Sequence, residues 1–295
     1  MLQECLAQLQ INPGGCYVDC TFGRGGHSAR ILQRLDSNGR LIALDRDEEA
    51  IDYGKRTITD TRLNLIHAKF SQLEEIASNL DINAMIDGIL IDLGVSSPQL
   101  DQAARGFSFQ QDGPLDMRMD TSVGQSAADW LADAEEQTLV TVLRDFGEER
   151  HARKIARFIV EDREKHPITT TKQLADLARR AIPYANRQRI HPATRTFQAL
   201  RIVVNDELKE ISSVLEQALR VMSVGARLVV IAFHSLEDRI VKRFFRDMSK
   251  TAASEHSDAG LFRLPFRKPL RPSEHEQSLN ARARSARLRV IERVA

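Results

Sequence analysis

Strand-like apolar runs separated by helical stretches constrain this chain more than any other feature. The runs are residues 16–20, 40–44, 63–67 and 86–93, each followed by a polar turn. Helical spacing fills the gaps, as with Ala29, Ile31, Leu32 and Leu35 in residues 28–35, and again over 47–56 and 72–79. The fourth run, residues 86–93, is apolar at nearly every position, as a strand buried on both faces of a parallel sheet requires. Strands alternating with helices predict an open α/β sheet covered on both sides.

The rhythm then breaks. From residue 102 to about residue 200 no convincing strand is present. Helical stretches occupy residues 126–131, 135–146, 151–165, 171–181 and 192–205, with Ser126 and the run Thr169-Thr170-Thr171 placed as N-caps and Pro167 and Pro183 as breaks. The α/β pattern resumes with a long helix over 206–223, a turn at Gly225, a fifth core strand over 226–233 and a helix over 236–248. Residues 249–260 are polar and are expected to form a mobile loop, and residues 286–291 a last strand. The expected organisation is one discontinuous α/β domain, residues 1–102 and 203–295, interrupted by a helical domain over 103–202. At 295 residues and 42% hydrophobic the chain is large enough for either one domain or two, and collagen, a disulfide knot and wholesale disorder are excluded.

No run of eighteen apolar residues occurs, so no membrane-spanning helix is expected. The first ten residues carry Glu4 and no basic cluster, unlike a signal peptide. Three cysteines, Cys5, Cys16 and Cys20, suit a reducing cytoplasm. Charge is uneven although the net is +1: residues 144–201 hold fourteen bases against seven acids, and residues 262–295 nine against three. Two basic segments on a near-neutral chain point to a local polyanion-binding face, the alternative being solvated helix faces.

Four motifs carry chemistry. The first is the run from Tyr17 to Ser28, in which a strand enters the turn Gly23-Arg24-Gly25-Gly26-His27 and then a helix. Glycines let a ligand approach the backbone, and the helix start offers free N–H groups. Ser28 stands where a dinucleotide fingerprint needs its third glycine, so a nicotinamide dehydrogenase is disfavoured. The second is Asp45 at the end of the second strand, placed to accept ribose hydroxyls, with an N-cap as the alternative. The third is Asp92, emerging from the buried fourth strand near the expected switch point, either lining a pocket or satisfied by backbone N–H groups. The fourth is His234 at the end of the fifth strand, in Phe233-His234-Ser235-Leu236-Glu237-Asp238-Arg239. Cys16, Cys20 and His27 lack a second Cys/His pair, so no metal site is expected, and no G-x-S-x-G elbow supports a Ser-His-Asp triad.

Taken in order, these motifs, together with Asp92-Leu93-Gly94-Val95-Ser96-Ser97-Pro98-Gln99, Gly113-Pro114-Leu115-Asp116-Met117-Arg118-Met119 and Thr194-Arg195-Thr196-Phe197-Gln198-Ala199-Leu200-Arg201, resemble the S-adenosylmethionine-dependent methyltransferase H family of bacterial small-subunit ribosomal RNA. The resemblance covers nearly the whole chain. It implies a Rossmann-like class I methyltransferase sheet with an inserted helical substrate domain, S-adenosylmethionine as cofactor, and methylation of the exocyclic N4 of a cytidine in the decoding region of 16S rRNA. The implied cofactor contacts are Gly25, Gly26, His27, Asp45, Phe70, Asp92 and Gln99, of which Phe70 and Gln99 come from the resemblance alone. Phe70 is implied against adenine. The implied partner is 16S rRNA in the small ribosomal subunit, with no membrane partner; a homodimer is compatible with the sequence. Family members begin with His-x-Pro-Val-Leu-Leu, whereas this sequence opens Met1-Leu2-Gln3-Glu4, so weaker cofactor or RNA binding is expected if that segment lines the pocket.

The reaction so implied is in-line methyl transfer to a weakly nucleophilic amine, in which positioning contributes most. An acceptor must take a proton from that amine, with Asp92 the first candidate and His234 the second. No Asn/Asp-Pro-Pro-aromatic tetrapeptide follows Asp92. The basic residues Arg150, Arg153, Lys154, Arg157, Arg187, Arg189 and Arg195, with Arg282, Arg284, Arg287 and Arg289 in the tail, are the expected RNA backbone contacts. Alternative functions are methylation of a small molecule or protein, and RNA binding without catalysis.

Overall fold

The computed structural model describes residues 1–182, 191–250 and 261–295. Pro183, Arg187, Arg189 and most of the expected loop over 249–260 therefore lie outside the described residues. Two compact units are present: unit 1, Met1–Gly94 with Leu208–Ala295, and unit 2, Val95–Glu207. The units divide after Gly94 and before Leu208, a few residues from the expected 102 and 203. The reason is packing: Val95 and Leu100 at one end, and Val203 and Val204 at the other, join the apolar core of unit 2.

Unit 1 holds a seven-stranded sheet. Its strands are β1 (Cys16–Asp19), β2 (Arg40–Asp45), β3 (Leu63–His67), β4 (Ile86–Asp92), β5 (Met222–Ala232), β6 (Phe262–Arg263) and β7 (Arg287–Arg293), in the order β3-β2-β1-β4-β5-β7-β6. The first five run parallel, and β7 is antiparallel to both its neighbours. This is a Rossmann-like sheet, with one reversed strand, β7, next to its edge. The chain builds outward from β1 to β3, then returns to place β4 against β1, so the carboxyl ends of β1 and β4 form a topological switch point. Ile89, Leu90 and Ile91 of β4 are fully buried, which explains the unbroken apolar run.

The helices α1 (Leu2–Leu9), α2 (Gly26–Leu32), α3 (Glu48–Thr57), α4 (Leu73–Asn79), α11 (Glu207–Val221), α12 (Ser235–Lys250) and α13 (Glu274–Leu279) belong to this part of the chain. Asp47 caps α3 by accepting the Glu49 N–H at 3.1 Å, which removes Asp45 from that duty. The turn expected at Gly225 is instead a bulge. Strand β5 already begins at Met222, and the partners of β4 jump from Met222 opposite Ile86 to Arg227 opposite Gly88. Gly225, at φ +87°, supplies the left-handed residue this excursion needs.

The arginines of β7 alternate with Leu288 and Val290 as expected, but they are committed within unit 1. Arg289 is buried and gives its Nε to Asp238 Oδ1 at 2.7 Å, and Arg287 Nη1 reaches Oδ2 at 2.7 Å. These two guanidinium partners hold the Asp238 carboxyl below its ordinary value despite burial. Arg289 is thus a structural residue and not an RNA contact.

Unit 2 is helical: α5 (Ser97–Asp101), α6 (Ala127–Asp133), α7 (Glu136–Asp145), α8 (Ala152–Arg163), α9 (Thr171–Ala181) and α10 (Thr194–Val204). Ser126 and Thr170 are N-caps, each closing a capping box with Asp129 and Gln173. Among the described residues of this unit, strand-like pairing is limited to one isolated bridge, Pro114 with Thr170.

Candidate functional site

The glycine turn is built from the strand ends upward. The Phe22 N–H donates to Leu44 O at 2.8 Å, which ties the turn to β2. Gly25 sits at φ +72°, and a Cβ there would lie 2.8 Å from the Phe22 ring, so glycine is obligatory. Ser28, in the place of a third glycine, donates its hydroxyl to Asp19 Oδ2 at 2.7 Å, while the Thr21 N–H reaches Asp19 Oδ1 at 3.1 Å. Asp19 is fully buried, and burial raises its carboxyl above the ordinary value. It braces the turn against α2. The sequence reading missed this role, although the signal was there: an acid closing an apolar strand, as at Asp45 and Asp92.

Gly26 differs from Gly25. Beyond its chain neighbours and the backbone of its own helix, no atom lies within 4 Å of where its Cβ would be. Gly26→Ala is therefore expected to fold with equal or greater stability, since alanine is the better helix former by up to ~1 kcal/mol. It should nevertheless weaken binding of a ligand seated over the turn about tenfold or more, read by calorimetric titration beside a thermal melt. Unchanged affinity would show that the space over the turn is not used.

Asp45 closes β2 and sits opposite His67 of β3. Its Oδ2 accepts the Gly23 N–H at 2.7 Å and its Oδ1 the Asp47 N–H at 2.9 Å. Burial pushes the carboxyl up to about 6 against these two bonds. Each oxygen keeps a second lone pair for a ligand hydroxyl. Phe70 follows three residues after His67 and packs partly buried against the sheet core.

Asp92 closes β4 beside β1, its own N–H donating to Thr21 Oγ1 at 2.8 Å. Its Oδ2 lies 3.7 Å from His27 Nδ1. The other atoms of this pair, Asp92 Oδ1 and His27 Nε2, are buried without a hydrogen-bond partner. Buried polar atoms are normally satisfied, so orphaned atoms on two side chains that approach to 3.7 Å mark a place for a ligand. Burial, aided by Asp19 and Glu237, pushes Asp92 up to about 6, against the pull of His27. Burial also holds His27 below its ordinary value. The alternative of an Asp92 satisfied by backbone N–H groups is not what the structure shows.

His234 follows β5, whose Ile231 pairs with Asp92 across the strands. Its Nε2 lies 3.1 Å from Glu237 Oε1. Glu237 is fully buried, and its Oε2 accepts the backbone N–H groups of Phe233 at 2.7 Å and His234 at 3.2 Å. The carboxylate lies at ion-pair distance from the imidazole, a neighbour the sequence did not reveal. Gln99 belongs to unit 2, where it is buried and its Oε1 accepts the Ser96 N–H at 2.9 Å in the capping box of α5.

Unit 1 thus gathers Gly25, Gly26, His27, Asp45, Asp92 and His234 at the carboxyl ends of adjacent strands. The set suits a ligand with neighbouring hydroxyls at one end and groups that hydrogen-bond to Asp92 and His27 at the other.

A family model described as the MraW methylase family matches residues 1–294. A protein of Shewanella amazonensis named Ribosomal RNA small subunit methyltransferase H is 51% identical, over 100% of this chain and 96% of its own length. The protein of the same name from Alteromonas mediterranea is 50% identical, with the same coverage of both chains. Among solved structures, an rRNA methylase from Streptococcus thermophilus aligns with a TM-score of 0.44 at 12% identity, over 99% of this chain and 93% of that one.

Proposed function

The chain belongs to the MraW methylase family, and from that premise we propose that it transfers a methyl group from S-adenosylmethionine to the exocyclic N4 of a cytidine in the decoding region of 16S rRNA. The observation that carries the assignment of the site is the pair of orphaned buried atoms, Asp92 Oδ1 and His27 Nε2, beside the open face of Gly26. When bound, the sulfonium cofactor supplies an activated methyl group. Asp45 accepts the ribose hydroxyls, Phe70 covers the adenine, and Gly25 and Gly26 let the ligand lie against the backbone.

The nucleophile is an amine whose lone pair is delocalised into the ring, so the chain's main work is to hold it in line with the breaking bond. Asp92 Oδ1 accepts a hydrogen from that amine, stabilises the charge that develops on nitrogen and takes the proton. A carboxyl raised to about 6 is still ionised at neutral pH and is more basic than an ordinary one. His234, beside the buried Glu237, is the second acceptor. The target base has to leave its stack to reach these groups.

Unit 2 is assigned to RNA recognition, in the context of the small ribosomal subunit. No described helix is long and apolar enough to cross a membrane, and the cytoplasm, where ribosomal subunits are made, is the proposed location. Nucleoside mass spectrometry of 16S rRNA from cells with and without the protein tests the assignment. Loss of N4-methylcytidine is expected in its absence, and its persistence would refute the proposal. Methyl transfer to proteins or small molecules but not to ribosomal subunits would favour the alternative methyltransferase reading.

A further inference from the structure

Helix α8 turns Ala152, Ile155, Ala156 and Ile159 into the core of unit 2. Its outward side is cationic: Arg153 and Arg157 are exposed, Lys154 is half-buried, and Arg150 is exposed just ahead of the helix. Phe158, one turn after Lys154, stands partly exposed among them, its ring resting against the core. Three cations gather on that ring: Lys154 Nζ at 5.6 Å from its centroid, Arg157 Cζ at 5.7 Å, and Arg180 Cζ of α9 at 5.8 Å.

We propose that this face of unit 2 binds an unpaired RNA segment, one base stacking on Phe158 and the flanking phosphates lying on the cations of α8 and α9. The inference rests on the assignment of ribosomal RNA as the substrate and adds to it the surface and the strandedness of what is bound. Helix geometry sets Lys154 and Phe158, and likewise Arg153 and Arg157, four residues apart on the outward side, each pair spanning about 6 Å. That is longer than a stacked nucleotide step of about 3.4 Å, so the track serves more than one phosphate.

The cations sit near the outer limit of about 6 Å for cation–π contact, and they hold the ring only weakly. Arg157 also meets Glu161 at 3.4 Å, and Arg180 pairs with Asp162. Both are surface pairs that contribute little and exchange readily for phosphate. Arg150, Arg153 and Lys154 form no ion pair among the described residues, so their charge is available to RNA. An aromatic ring held by a core and ringed by cations is the combination that single-strand binders use, because every base offers a π face. A duplex keeps its bases stacked inside and cannot use the ring.

The test measures binding of the full chain to a short unstructured oligoribonucleotide and to a duplex of the same length, across a salt series. Phe158→Leu keeps apolar volume for the core but removes the π face. It is expected to weaken single-strand binding about tenfold with the salt slope unchanged. Lys154→Gln is expected to reduce the slope by about 0.7, the amount for one phosphate contact on a single strand. Thermal melts of both variants check the fold. Parental affinity in Phe158→Leu, or an equal loss on the duplex, would overturn the proposal. Methylation of 16S rRNA by the parent protein is read separately, so failure of the substrate assignment and failure of this surface are distinguishable.

Discussion

Replacing Asp92 with asparagine is expected to lower the methyl-transfer rate by about 10²–10⁴-fold, the range for loss of a positioned proton acceptor. Asparagine keeps the size and a carbonyl acceptor, so cofactor affinity should change far less. Single-turnover transfer and calorimetric cofactor titration, run side by side, separate the two. Equal losses in both would reduce Asp92 to a binding residue. The pH dependence has a definite sign. Transfer needs the carboxylate, and Asp92 lies at about 6, so the parent rate should climb through pH 6 and then level off. Asp92→Asn should lose that rise.

The same substitution carries a stability signature. Burial has raised the Asp92 carboxyl above its value of about 3.9 in an unfolded chain. The folded state therefore holds this proton more tightly, and the contribution is present at low pH and lost as pH rises from about 4 to about 6. Above that, the buried charge destabilises the unliganded protein. Asp92→Asn should raise its melting temperature at pH 8 but not at pH 4. The gain is about 1–2 kcal/mol, reduced from the full shift because the side chain is 29% exposed.

How far the sequence alone reached depended on whether a signal was local. The strand rhythm, the buried β4 and the caps at Ser126 and Thr170 are local patterns, and the structure reproduces them. Asp45 and Asp92 stood out because an acid ending an apolar strand needs an explanation. Asp19 ends β1 in the same way but was passed over, since its partner Ser28 lies across the turn and was read only as a missing glycine. Glu237 was invisible because i to i+3 spacing on a helix looks like a solvated face. Only the packing of α12 shows that it is buried under His234. Arg289 was misassigned for the converse reason: alternation in a strand tells which side a residue faces, but not that Asp238 waits there. The compact units divide a few residues away from the expected boundaries for one cause: Val95, Leu100, Val203 and Val204 carry no composition change yet pack with the helical core.

Asp45→Ala is expected to weaken S-adenosylmethionine binding by about 10²–10³-fold. Hydrogen bonds to a charged group contribute about 1.5–3 kcal/mol each, and two hydroxyl contacts would be lost together. The substitution also frees the Gly23 and Asp47 N–H groups, which loosens the turn and adds to the loss. Two further variants separate binding from scaffolding. Asp45→Asn keeps one acceptor and the side-chain volume, so it should fall between parent and alanine. Asp47→Ala removes the α3 cap and should cost about 1 kcal/mol of stability while leaving cofactor affinity near the parental value. Burial places Asp45 at about 6, so on the proposal that ribose hydroxyls donate to its ionised form, parental affinity should strengthen as pH rises through 6. Titration at several pH values would show a flat profile in Asp45→Ala. If instead Asp45→Ala and Asp47→Ala weakened binding equally, the carboxylate would be a brace for the turn, and the ribose would have to find its acceptor elsewhere on the rim.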